Sequence, residues 1–137
     1  MQAELKEQKR ALTDAHSALA RYEARELADA AEQHSWGRLV LQAIDGDAVR
    51  LKSLATPITI DPGFLAVLFS KSSPSLIVAA RSADVTVACN EIVGALAKRF
   101  GGRGGGKPDL AQGGGLNAPM EELLAETHRL MTVGTAL

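Results

Sequence analysis

Between Phe100 and Gly115 the chain reads Phe-Gly-Gly-Arg-Gly-Gly-Gly-Lys-Pro-Asp-Leu-Ala-Gln-Gly-Gly-Gly, with eight glycines among sixteen residues and only Arg103, Lys107 and Asp109 charged. Glycine lacks a Cβ, so its backbone approaches a ligand closely and takes positive φ freely. Successive N–H groups in such a turn form a concave, partly positive surface that suits phosphate. Arg103 and Lys107 set full charges beside Gly101, Gly102, Gly104, Gly105 and Gly106, the backbone that would meet the anion. Asp109 and Gln112 are polar groups able to brace the loop or to touch sugar hydroxyls. A flexible connector is the competing explanation. Linkers mix Gly with Ser, whereas this stretch holds no serine and embeds Lys107-Pro-Asp-Leu-Ala-Gln112. Ordering so many glycines costs chain entropy, which argues for a use.

Two familiar phosphate motifs fail on inspection. Gly101 to Lys107 fits the first part of a Walker A loop, but Pro108 stands where Ser or Thr must ligate magnesium. Gly113-Gly-Gly-Leu-Asn-Ala118 fits a loose dinucleotide fingerprint, but no clear strand leads into it. Charge supplies a broader signal. Residues 81–107 carry Arg81, Lys98, Arg99, Arg103 and Lys107 against Asp84 and Glu91, a net +3 in a chain whose formal net charge is −1. Side by side, Lys98, Arg99, Arg103 and Lys107 would form one cationic edge, and phosphate contacts of this kind give salt-dependent affinity without reading bases. Lys98 and Arg99 equally suit the C-terminus of a helix. Arg81 either approaches the loop or pairs with Asp84. Trp36 either stacks on a base or fills a helix–strand junction.

Catalytic chemistry has little to stand on. His16, His34 and His128 are far apart in sequence, on the two terminal helices, and lack a spacing such as His-x-x-x-His. Glu121 and Glu122 are adjacent on a helix, point different ways, and suit a helix N-terminus better than acid–base work. Cys89 is the lone cysteine, which excludes a disulfide framework or a cysteine zinc cluster within one chain and reads as a small buried apolar residue. No metal or cofactor is expected, and the chain by itself is not expected to be an enzyme.

The glycine signature, Gly101-Gly-Arg-Gly-Gly-Gly-Lys-Pro-Asp-Leu-Ala-Gln-Gly-Gly114, resembles that of the DHH-associated domain in its alanyl-tRNA version. That domain is the C-terminal module of alanyl-tRNA synthetases and of long-form AlaX trans-editing proteins. The resemblance extends through Leu76-Ile-Val-Ala-Ala-Arg-Ser-Ala-Asp84 and Asn90 to Arg99, and more weakly back to Trp36, over roughly residues 36–136. It implies a tRNA-binding accessory module that grips folded tRNA, in particular tRNA-Ala, by shape and phosphate, as a separated part of a synthetase or editing factor. The zinc motifs of the editing domain and the Asp-His-His motif of the related phosphoesterases are absent from this sequence. Two alternatives stay open. One is the substrate-binding domain of a DHH-type phosphoesterase acting on short oligonucleotides, although that branch resembles Gly-Gly-Gly-His where this chain has Lys107. The other is a non-enzymatic dimerisation module.

The elements that must position these residues follow from pattern. A chain of 137 residues, 46 % hydrophobic and 4 % aromatic, makes about one domain. Residues 2–34 hold no Gly or Pro and are rich in good helix formers, with Leu5, Leu12 and Leu19 seven apart and Ala15 and Tyr22 three further on. One narrow stripe on one helix has too little to bury alone. A projecting coiled-coil-like helix over 1–35 and homodimerisation through 2–34 are therefore expected ahead of a globular domain over 36–137. In that domain Leu39–Ile44, Leu65–Phe69 and Leu76–Ala80 read as buried strands. Ala48, Leu51, Leu54 and Ala55 mark a short helix, with Pro57 and Pro62 bracketing a connector after it. Ile92, Val93, Leu96 and Phe100 stripe a helix over 88–100. Leu110–Gln112 is a short strand inside the glycine loop, and Glu121–Met131 is a final helix with Pro119 at its start. The class is α/β of the α+β kind, a small mixed sheet flanked by helices. No apolar run approaches the roughly 20 residues of a membrane span, and the first residues lack the apolar core of a signal peptide. A cytoplasmic protein is expected.

Overall fold

The computed structural model describes residues 21–34, 37–71 and 74–134. Residues 21–29 are helical (α1). They lead into strand β1 (Glu32–His34), β2 (Gly37–Ile44), helix α2 (Ala48–Ile60), β3 (Phe64–Ser70), β4 (Ser75–Arg81), α3 (Cys89–Phe100), β5 (Arg103–Gly106), β6 (Leu110–Leu116) and α4 (Met120–Gly134). The strands make one six-stranded sheet in the order β1-β2-β3-β4-β6-β5. Only β2 and β3 run parallel, joined across α2, and every other pair is antiparallel. The expected mixed sheet flanked by helices is the architecture found.

The sheet is covered on both faces, which is why its central strands read as unbroken apolar runs. Along β3 the side chains alternate between two cores. Leu65, Val67 and Phe69 pack with Ile77, Val93, Leu96 and Leu123 toward α3 and α4. Ala66 and Leu68 pack with Leu51, Leu54, Ala55 and Ile58 toward α2. All seven β3 residues are buried. Fully burying a side chain such as Phe69 contributes about 1.5–3 kcal/mol, so β3 is the spine of the fold.

Helix α2 starts on Asp47, whose carboxylate accepts from the Arg50 N–H at 3.0 Å and satisfies one orphan donor of the first turn. The expected connector at Pro57 does not form, because α2 runs through Pro57 to Ile60. An interior proline costs about 3 kcal/mol. The buried stripe Leu51, Leu54, Ala55, Ile58 keeps helical spacing across it, and that burial outweighs the proline.

The long helix expected over 2–34 also ends early, since residues 32–34 form a strand. Glu32 pairs with Leu39 and His34 with Gly37, so β2 offers the chain an edge that a continued helix would leave unpaired. Residues 21–29 do not project. Ala24 is buried with the α2 core, Leu27, Ala28 and Ala31 pack against it, and Glu23 binds Arg50 of α2. Residues 1–20, with the Leu5, Leu12 and Leu19 stripe, lie outside the described residues.

Candidate nucleic-acid interface

The glycine segment is not a loop. Arg103–Gly106 and Leu110–Leu116 are antiparallel strands pairing Arg103 with Gly114, Gly104 with Gly113, Gly105 with Gln112 and Gly106 with Ala111. Helix α3 lies against one face of this hairpin so closely that no Cβ fits there. A Cβ on Gly104 would stand 2.4 Å from Val93 Cγ1, and one on Gly113 would stand 2.9 Å from the same atom. On Gly102 a Cβ would meet the Gly114 carbonyl oxygen at 2.3 Å. Packing, to α3 for Gly104 and Gly113 and to the neighbouring strand β6 for Gly102, accounts for these three glycines more than ligand approach does. Gly101 has its own reason: it caps α3 in the left-handed region at φ 82°, where glycine pays no Cβ penalty.

Both ends of the hairpin are pinned. At its tip the Lys107 N–H donates to the Leu110 carbonyl at 3.0 Å, closing a turn over Pro108 and Asp109. The carbonyls of those two turn residues accept from the Cys89 N–H (2.9 Å) and the Arg81 N–H (3.1 Å). At the other end the Asn117 N–H donates to the Phe100 carbonyl at 3.1 Å. Asp109 thus braces through its backbone, while its side chain is exposed.

The cations divide between these two ends. Arg81 is half-buried on β4 and directs Nη1 to the Val87 carbonyl at 3.0 Å. Its Nε is buried without a hydrogen-bond partner among the described residues. No ion pair joins Arg81 to Asp84 among the described residues; Asp84 instead accepts from the Gly63 N–H at 2.9 Å. Arg81 therefore supports the segment entering α3. Burial pushes the Cys89 thiol there up to about 11, against a smaller opposing pull from Arg81. Arg99 stacks over the Phe100 ring at 5.6 Å and reaches Glu126 of α4 at 3.7 Å. Hydrogen bonding from Arg129, with the charges of Arg129 and Arg99, holds the Glu126 carboxyl below the ordinary carboxylate value.

Lys98, Arg103 and Lys107 are exposed, and no ion pair engages them among the described residues. Lys98 and Arg103 flank the C-terminal end of α3. Lys107 sits at the far end of β5, four strand steps or about 13 Å from Arg103. The single cationic edge expected from sequence is thus spread out, with Lys98 on α3 and Arg103 and Lys107 at the two ends of β5, while Arg81 turns to Val87 and the exposed Arg99 leans on Phe100 and Glu126.

Strand β5 closes the sheet, so one side of its backbone keeps unpaired N–H and C=O groups. The face of the hairpin opposite α3 presents Arg103, Gly105 and Gln112, all exposed. A Cβ on Gly105 would meet nothing within 4 Å. Gly101, Gly102, Arg103, Gly114 and Gly115 line an open depression of about 430 Å³. A smooth backbone surface with an unpaired edge, a guanidinium and an amide suits a sugar–phosphate chain read by shape.

Histidines far apart in sequence do converge elsewhere. His34 and His128 face each other at 6.0 Å between ring centroids, with Glu32 beside both. Spacing along the chain could not reveal this, because β1 and α4 meet only through the fold. Trp36 lies outside the described residues.

Residues 38–132 match the model of the DHHA1 domain. The chain is 30 % identical over 134 residues to the alanine–tRNA ligase of Anaeromyxobacter dehalogenans (strain 2CP-C), covering 94 % of this chain and 15 % of that protein. It is 41 % identical over 88 residues to the alanine–tRNA ligase of Methanoculleus marisnigri (strain ATCC 35101 / DSM 1498 / JR1), covering 64 % of this chain and 9 % of that protein. The chain therefore spans about a seventh or less of the length of these relatives. Its fold matches the crystal structure of the C-Ala domain from Aquifex aeolicus alanyl-tRNA synthetase with a TM-score of 0.64 and 24 % identity, over 74 % of this chain and 93 % of that one. Since the match takes in the sheet from β2 onward together with α2, α3 and the glycine hairpin, the chain belongs to the DHHA1 domain family.

Proposed function

We propose that the chain is a tRNA-binding accessory module that lays the exposed face and free edge of the glycine hairpin against the sugar–phosphate backbone of a folded tRNA. The observation that carries this reading is the conjunction of an unpaired, glycine-rich edge strand carrying exposed Arg103, with exposed Lys107 at its end and exposed Lys98 on the adjoining end of α3, none held in an ion pair among the described residues. The kinship with alanine–tRNA ligases supports tRNA, and tRNA-Ala in particular, as the polyanion. Gly101, Gly102, Gly105 and Gln112 would line the contact, Arg103 and Lys107 would neutralise phosphates, and Arg81, Arg99 and Asp109 would hold the hairpin in place. The module would have no catalysis of its own and would serve a synthetase or editing enzyme in the cytoplasm, as part of the same protein or as a separate chain. Self-association through residues 2–34 belongs to the same reading, motivated by the Leu5, Leu12, Leu19 stripe.

Arg103→Ala combined with Lys107→Ala tests the interface. The double variant should keep the wild-type melting temperature, bind tRNA more weakly, and lose roughly two units of salt dependence, about one per phosphate contact. Unchanged affinity at moderate salt would remove the hairpin from the interface.

A further inference from the structure

We propose that Glu32, His34 and His128 form a binding site for a divalent transition-metal ion of the zinc class, clipping β1 to α4. Glu32 and His34 are two apart on β1, so their side chains share one face of the strand. Glu32 pairs with Leu39, whose side chain belongs to the core under α3 and α4, so this face looks toward α4. His128 Nε2 lies 2.8 Å and 3.0 Å from the two Glu32 carboxylate oxygens. His34 Nε2 lies 3.4 Å from Oε1 of the same carboxylate. One ligand atom from each of the three groups falls within 4.8 Å of the others.

One of these separations already suits a metal, and the others lie close to what one needs. At zinc–nitrogen and zinc–oxygen distances near 2.0–2.1 Å, neighbouring ligands of a tetrahedral ion stand about 3.3 Å apart. The Glu32–His34 distance already has that value, and the Glu32–His128 distance widens to it by a small side-chain rotation. Two imidazoles and one carboxylate are a donor set that favours zinc and its neighbours over calcium or magnesium, which prefer oxygen ligands. No lysine or arginine pairs with Glu32 among the described residues, so its charge is available to a cation. The His34 side chain is 11 % exposed, and those of His128 and Glu32 are about half exposed. The ion would sit at the surface over a buried imidazole, with water completing its coordination. Strand β1 has three residues and lies at an edge of the sheet, so a clip to α4 would secure the least anchored strand. Hydrogen bonding of Glu32 to the two rings without any metal is the competing account.

Titrating the full chain, freed of metal, with cobalt(II) decides between them. The expected result is a visible absorption band of a tetrahedral ion that saturates at one equivalent, is displaced by zinc, and is accompanied by a rise in melting temperature. Removing a group that merely orients a metal ligand typically weakens binding about 10–100-fold, so losing a ligand should weaken it at least about 100-fold. His128→Ala and Glu32→Gln should each show that loss while keeping the wild-type circular dichroism, and His16→Ala should bind as wild type. No band with the wild-type chain, or a band that survives in folded His128→Ala or Glu32→Gln, would overturn the proposal.

Discussion

Gly104 and Gly105 are adjacent, both extended and both exposed, yet alanine at each should do opposite things. At Gly104 the new methyl would lie 2.4 Å from Val93 Cγ1, 2.8 Å from Gly113 Cα and 3.0 Å from the Gln112 carbonyl oxygen. Val93 is fully buried, and the hairpin is tied to both ends of α3 through Cys89, Phe100 and their partners, so neither side yields freely. Overpacking of this kind costs about 1–3 kcal/mol, a fall in melting temperature of roughly 4 °C per kcal/mol at this chain length. At Gly105 the methyl meets nothing within 4 Å and needs no positive φ. Restricting the unfolded chain there should stabilise by about 0.4–1 kcal/mol. Val93→Ala combined with Gly104→Ala should recover part of the loss, with a favourable coupling of about 0.5–3 kcal/mol. Urea unfolding followed by circular dichroism measures these three variants and Val93→Ala alone, which completes the cycle. Equal destabilisation by Gly104→Ala and Gly105→Ala would refute the packing argument. The same pair separates structure from function: Gly105→Ala, although stable, should weaken tRNA binding if the ligand backbone lies on that face.

Other expectations follow from single groups. Ser82 is buried, accepts from the Phe64 N–H at 3.0 Å and donates to the Asp61 carbonyl. Ser82→Ala should therefore cost about 1–3 kcal/mol by stranding a buried N–H, measurable by urea unfolding, and a near-neutral result would contradict this. Cys89 should resist alkylation in the native protein and react only on unfolding, because burial raises its thiol from 9.0 to about 11. Its protonated form is favoured in the folded state, so the associated stability is complete below pH 9 and is lost as pH rises toward about 11; rapid native labelling near pH 8 would count against it.

Much of the frame was legible. Strands β2, β3 and β4 announce themselves as short apolar runs because they are buried on both faces, and α3 and α4 show helical stripes because each buries one. What was hidden has physical causes. Side-chain alternation cannot mark Gly104–Gly106 of β5 or Gly113–Gly115 of β6, since glycine has no side chain to alternate, so only Leu110–Gln112 of the hairpin read as a strand. The start of α2 was legible from Ala48, Leu51, Leu54 and Ala55, but its end hid behind Pro57, whose local cost is overridden by the buried Ile58. Residues 32–34 carry helix-forming neighbours, and only the waiting edge of β2 makes them a strand. The cations clustered along the sequence, but β5 spaces Arg103 from Lys107, while Arg81 and Arg99 turn to Val87 and Glu126. Glu32, His34 and His128 come together through the packing of β1 beside α4, which no local pattern encodes.

The central claim is that the glycine hairpin grips folded tRNA by its backbone. The most direct test measures binding of the purified chain to total tRNA and to a single-stranded oligonucleotide of similar charge across a salt series. A preference for tRNA that declines steadily with salt is the predicted result. Equal weak binding to both, or binding to neither, would contradict the claim.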